Sequence, residues 1–119
     1  MSITDNLSGQ DIYEELQYIR KATDKAIKGS MNNGLKRSEA ERVYRIAKAQ
    51  RTLELREQGF QITIIADLVK GTPEVARLNF ELDIAQVQYD ASKETVWKYR
   101  KDMEYLMTLM RMEYGKIND

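Results

Sequence analysis

The sequence predicts an all-α fold: a long C-terminal helix with two shorter helices packed back on it as an antiparallel coiled coil or helical bundle, and a short apolar connector between them. Three observations carry this. First, from Thr72 to about Gly115 the apolar and aromatic residues alternate steps of three and four: Val75, Leu78, Leu82, Ala85, Tyr89, Val96, Tyr99, Met103, Leu106 and Met110, with Ser92 and Glu113 in the same register. A repeat kept this long is a heptad seam, so the helix lies against other helices along most of its length. Second, a single Pro and six Gly in 119 residues leave few helix breakers. Third, helix-start and helix-stop residues divide the remainder into helix-sized pieces.

The first helix is expected from Ser8 to about Lys28, following a frayed segment 1–7. Ser8 and Asp11 form a capping pair, and Ile12, Leu16, Ile19, Ala22, Ala26 and Ile27 make one stripe. Gly29 would stop it. Residues 29–37, Gly-Ser-Met-Asn-Asn-Gly-Leu-Lys-Arg, read as a mobile loop, because Gly and Asn both accept positive φ. Ser38-x-x-Glu41 is a capping box for a second helix running to Gln58 and closed by a left-handed Gly59. Its main stripe is Val43, Ile46, Ala47, Gln50 and Leu53, with Tyr44 and Leu55 to the side.

Residues 60–71 are ambiguous. Phe60, Ile62 and Ile64 alternate as in a strand, but Thr63 could cap a two-turn helix from Ile64 to Lys70. The helix is preferred, since a lone strand would lack a pairing partner; either way the segment should be buried. The long helix follows, with Thr72 as its cap, Pro73 in the first turn and Glu74 near the positive end. A second stripe, Phe80, Ile84, Val87 and Ala91, lies away from the seam and should also be covered.

Two helices of about 20 residues reach only about 30 Å each, too short to cover the whole long helix. Val96, Trp97, Tyr99, Met103, Leu106, Met107 and Met110 would then form a bare apolar edge, for which a homodimer along the second half of the long helix is the simplest cover. The alternative is that the first helix swings down over it.

Composition narrows function. Net charge is zero, with 32% charged residues, so no global field draws the chain to nucleic acid or an anionic membrane. With no Cys and no His, thiol catalysis, Cys/His zinc sites and imidazole acid–base chemistry are excluded. No cofactor, metal, small-molecule substrate or catalytic set is expected. Asp83, Asp90 and Glu94 read as a solvated face. The segment Met1 to Gln10 lacks a signal-peptide pattern and no apolar run would span a bilayer, which is compatible with a cytoplasmic protein.

The remaining candidate is a basic region. Between Arg20 and Arg56 there are eleven Lys or Arg against four Asp or Glu. Arg37, Arg42, Arg45, Lys48 and Arg56, with Asn32 and Asn33 of the loop, are the expected partner-contacting residues. Direct DNA or RNA binding through the same face is the alternative. A helix-turn-helix over 53–80 is disfavoured, because Glu74, Glu81 and Asp83 would face phosphate and the supposed recognition helix continues as a heptad seam.

The block Gln-Gly-Phe-Gln-Ile-Thr-Ile-Ile-Ala-Asp-Leu-Val-Lys-Gly at 58–71, followed by Val75-Ala76-x-Leu78 and Asp83-Ile84-Ala85, resembles small helical proteins of temperate phages and prophages of Gram-positive bacteria. The resemblance spans about residues 39–105 and implies a short phage-type accessory protein in the host cytoplasm. Such a protein would bind and inhibit or adapt a larger host or phage machine acting on nucleic acid; a structural virion or assembly component is a third reading.

Overall fold

The computed structural model describes residues 8–118; the segment 1–7, expected to be frayed, lies outside the described residues. Three helices follow in order: α1 Gly9–Glu57, α2 Ile62–Gly71 and α3 Pro73–Asn118. Among the described residues there is no strand, and no helix is long and apolar enough to cross a membrane. The described residues divide into two compact units. One joins those up to Ser30 with those from Ser92 on; the other is Met31–Ala91.

The start of α1 is a reciprocal capping box. The Asp11 backbone N–H donates to Ser8 Oγ at 3.1 Å, while the Ser8 backbone N–H and hydroxyl donate to Asp11 Oδ2 at 3.1 and 2.8 Å. In the first unit Ile12, Leu16, Ile19 and Leu106 form the core, with Tyr99, Met103, Leu109 and Met110 packed against it. Thr23 is buried and its hydroxyl donates to the Ile19 carbonyl at 2.7 Å, so its polar atom is not orphaned.

The second unit is organised around Leu55, Ile65, Val69 and Val75, with Tyr44 and Ala47 against them. It includes a sharp corner after α1. Gly59 adopts φ +87°, Phe60 N–H donates to the Leu55 carbonyl and Gly59 N–H to the Arg56 carbonyl. These are the two hydrogen bonds of a Schellman closure, as expected of that glycine.

Every seam position of α3, from Val75 to Glu113, is buried or half-buried. Other expectations need correction. Residues 29–37 are not a loop but the middle of α1, a 49-residue helix, so the two shorter helices expected over 8–58 are one. Ser38 therefore caps nothing, and Glu41 receives Arg37 and Arg45 instead. The physical reason is tertiary. Extending an existing helix adds a hydrogen bond per residue and avoids a second nucleation, while each Gly costs only about 1 kcal/mol relative to Ala. Cross-helix contacts offset that cost: Arg37 Nε donates to Gln86 Oε1 at 2.6 Å and Asn33 Nδ2 to the Gln88 carbonyl at 3.4 Å. Gly34 has a steric role as well, since a Cβ there would stand 3.2 Å from the Tyr89 ring.

The connector is helical but starts earlier than expected, with Gln61 at its N-cap and no side-chain cap bond. Only Ile65 and Val69 are buried; Ile62, Ile64 and Leu68 are exposed, because a ten-residue helix laid on one core hides one face. Thr72 ends α2 and precedes α3. Its hydroxyl donates back to the Leu68 carbonyl at 2.9 Å, so its backbone carbonyl, not its side chain, opens α3 by accepting Ala76 N–H.

Three outcomes are expected. Gly29 has open space where a Cβ would go, so Gly29→Ala should stabilise by about 0.5–1 kcal/mol. Gly34→Ala should stabilise less than Gly29→Ala, because the Tyr89 ring must give way to the new Cβ; urea melts of both variants check this. The Ser8 hydrogen bonds, side-chain first, hold the Asp11 carboxyl below its ordinary value. That contribution is in place above the unfolded carboxylate pKa and is lost as pH falls through the lowered folded value. Ser8→Ala should move the Asp11 midpoint upward in a carboxyl NMR titration.

Candidate functional site

Which face of α1 is left outward in Met31–Ala91 follows from helical geometry. Residues two apart are about 200° apart around an α-helix. The side turned to the core carries Tyr44, Ala47 and Leu55. Half-buried Arg37 and Arg51 share that side, where Arg51 Nε donates to Thr72 Oγ1 at 3.2 Å. Ile46 and Leu53 are therefore displaced to the opposite side. They are exposed, Leu53 by 57%, whereas Leu55 is 2% exposed. Met31 and Leu35 continue the same outward stripe, Leu35 being 70% exposed.

This corrects the expected core stripe at Ile46, Gln50 and Leu53, which are exposed, while Val43 and Ala47 are half-buried, Ala47 against the core. The inward side is built from Leu55, a tyrosine, an alanine and the stems of two arginines, which pack although their heads are polar. The outward side is the more aliphatic of the two.

The expected partner-contacting cations separate in the structure. All four of Arg42, Arg45, Lys48 and Arg56 are exposed, but only Arg42, Arg45 and Arg56 lie on the outward half of α1; Lys48, one heptad before Leu55, sits at the edge of the inward side. Arg42 grips Glu39 with two hydrogen bonds, at 2.9 and 2.6 Å. This pair lowers the Glu39 pKa and raises that of Arg42, through the hydrogen bond first. Arg45 meets Glu41 at 2.7 Å, and the Lys48 ammonium lies 5.9 Å from the centre of the Tyr44 ring. Solvent-screened pairs of this kind are weak and can be exchanged for a partner's groups. An open depression lined by Arg45, Lys48, Ala49, Thr52 and Leu53 sets two cations beside aliphatic surface. Arg37 is drawn inward by Gln86 and Glu41 and is not part of this face. Asn33 faces α3, while Asn32 is exposed.

On α3 of the same unit, the second stripe is uncovered, contrary to expectation. Phe80, Ile84 and Val87 are exposed, Phe80 by 63% and Val87 by 68%. They lie opposite the seam positions Val75, Leu78, Leu82 and Tyr89, and α1 and α2 both pack on the seam side.

The expected dimer edge is also redistributed. Val96 and Leu106 are buried, and Tyr99, Met103, Leu106 and Met110 pack with α1 residues of their own chain. The first half of α1 thus covers that edge, as in the alternative of a first helix swung down over it. Trp97 and Met107 remain exposed, with the Lys101 ammonium 5.7 Å from the centre of the Trp97 ring.

Among the described residues no group of three or more His, Cys, Asp or Glu is placed to hold a metal ion. Comparison with family models, curated proteins and solved structures finds no match.

The outward assignment of α1 has a direct check. Leu55→Ala should cost about 2–5 kcal/mol. Leu53→Ala, two residues away, should stay within about 0.5 kcal/mol in the same urea melts. Equal costs would mean that Leu53 is covered.

Proposed function

We propose that the protein is a non-catalytic binding protein that modulates a larger protein machine acting on nucleic acid, contacting it through the outward face of α1 between Met31 and Glu57. One observation carries the reading: Leu35, Ile46 and Leu53 are exposed on the face that also presents Arg42, Arg45 and Arg56, with Lys48 at its rim. Aliphatic anchors within a basic surround suit a protein surface of acidic and apolar character, where buried apolar contacts supply affinity and charge supplies selection. A phosphate backbone would use the cations and leave the aliphatics in water, so nucleic acid is the lesser fit. The target class and a cytoplasmic setting rest on the resemblance to phage-type accessory proteins. No convergent nucleophile, base or metal set among the described residues argues for chemistry.

The test is reversal of the face. Arg42→Glu, Arg45→Glu and Lys48→Glu together should abolish capture of a specific protein from host lysate while leaving the circular-dichroism melt in place. Fluorescence anisotropy with a short duplex at two salt concentrations should give no binding at low salt. A steep salt slope would instead assign the face to nucleic acid.

A further inference from the structure

The two uncovered faces of Met31–Ala91 are opposite in charge as well as position. Along 31–57, α1 carries seven Lys or Arg against four Glu; along 73–91, α3 carries four Asp or Glu against one Arg. Each has an exposed apolar stripe at its centre: Leu35, Ile46 and Leu53 on α1, and Phe80, Ile84 and Val87 on α3. Arg37–Glu41, Arg42–Glu39, Arg45–Glu41, Arg51–Glu54 and Arg77–Glu81 are ion pairs made within a helix, three or four residues apart. Basic α1 meets acidic α3 through neutral acceptors, Arg37 to Gln86 and Asn33 to Gln88. Arg37 and Arg51 are turned inward, so the exposed part of 31–57 presents five Lys or Arg against three Glu, and that of 73–91 four Asp or Glu against one Arg.

From this we infer that the outward face of α1 docks on the outward face of α3 of a second copy of the chain. The inference rests on the reading of the α1 face as a binding surface and names one occupant for it. The match is of both kinds: an aliphatic stripe with Arg42, Arg45 and Arg56 along one flank meets an aromatic–aliphatic stripe flanked by Glu81, Asp83 and Asp90. The contact is heterologous, since different patches meet. The two patches lie on opposite sides of the unit, because each is opposite the face by which α1 and α3 pack together. A second contact is therefore left open at each end of a pair, and association continues into a ring or an open chain rather than stopping at a two-fold dimer. This is a different contact from a dimer along the C-terminal seam, where Val96 and Leu106 are buried within one chain.

The experiment uses the full chain and two charge-reversed variants, all at exposed positions. One carries Arg42→Glu, Arg45→Glu and Lys48→Glu; the other carries Glu81→Lys, Asp83→Lys and Asp90→Lys. Sedimentation equilibrium of the unaltered protein should give a mass that rises with concentration past twice that of one chain. Raising the salt from about 0.05 to about 0.5 M should lower it, because the flanking charges are screened. Each variant alone should be a monomer. Their equimolar mixture should associate again, since the reversed α1 of one matches the reversed α3 of the other. Phe80→Ser with Val87→Ser should also give a monomer without any change of charge, which covers the case in which a reversed variant fails to fold. A monomeric unaltered protein, a closed dimer, or variants that do not recover on mixing would overturn the inference. The α3-reversed variant separates this from the preceding proposal: it should lose self-association yet still capture a foreign partner through α1.

Discussion

The fold depends on one helix pair. The seam of α3 is the most regular feature of the chain, and within each unit it is stable because a stretch of α1 covers it. An isolated helix in water gains little from its own hydrogen bonds, and most of its stability comes from burying a face. Breaking α1 near Gly29 would leave each half to cover its share with its own ends and caps. Keeping it whole accepts two glycines and two asparagines in helical conformation, and Gly34 offsets this by admitting the Tyr89 ring.

The two units meet that demand with different chemistry. The first uses aliphatic residues and methionine around Leu16 and Leu106. The second has aliphatic residues gathered around Leu55, Ile65, Val69 and Val75, and farther along the pair relies on arginine stems, Tyr44 and amide contacts to Gln86 and Gln88. Amide and guanidinium groups have directions, whereas methyl groups do not, so this part aligns α1 against α3 more specifically than an oily seam would. Filling the inward side with polar side chains also frees aliphatic residues for the outward side. The candidate surface on α1 is a by-product of how the inside is built.

Much of the architecture can be read from the residues. A three–four alternation held over twelve positions is the pattern left by a helix with one sheltered side, and every one of those positions is sheltered. Gly59 is equally legible, because only glycine adopts its backbone angle cheaply and it follows a helix-length stretch. Residues 29–37 mislead for a physical reason: Gly and Asn report local preference, whereas the contact of Gly34 with Tyr89 joins residues far apart in sequence. The inward face of α1 misleads because apolar count is a poor guide to burial there. Arg37, Arg51 and Tyr44 bury stems and rings while keeping polar ends, which an apolarity pattern discounts. Arg42, Arg45 and Lys48 are legible as a basic group. Ile46 and Leu53 are not legible as their neighbours on the surface, since aliphatics on a helix are assigned inward by default.

The sulfur atoms along the two long helices are sheltered to very different degrees, with a consequence for redox chemistry. Met31 and Met112 are exposed, while Met103 and Met110 pack against the Ile12–Leu16–Ile19 cluster. Thioether oxidation converts a flexible apolar side chain into a polar sulfoxide and follows access to solvent. Peroxide would therefore modify the outer methionines first and leave the helix pair standing. Only once the inner pair reacted would a sulfoxide dipole enter the oily cluster and begin to prise the helices apart.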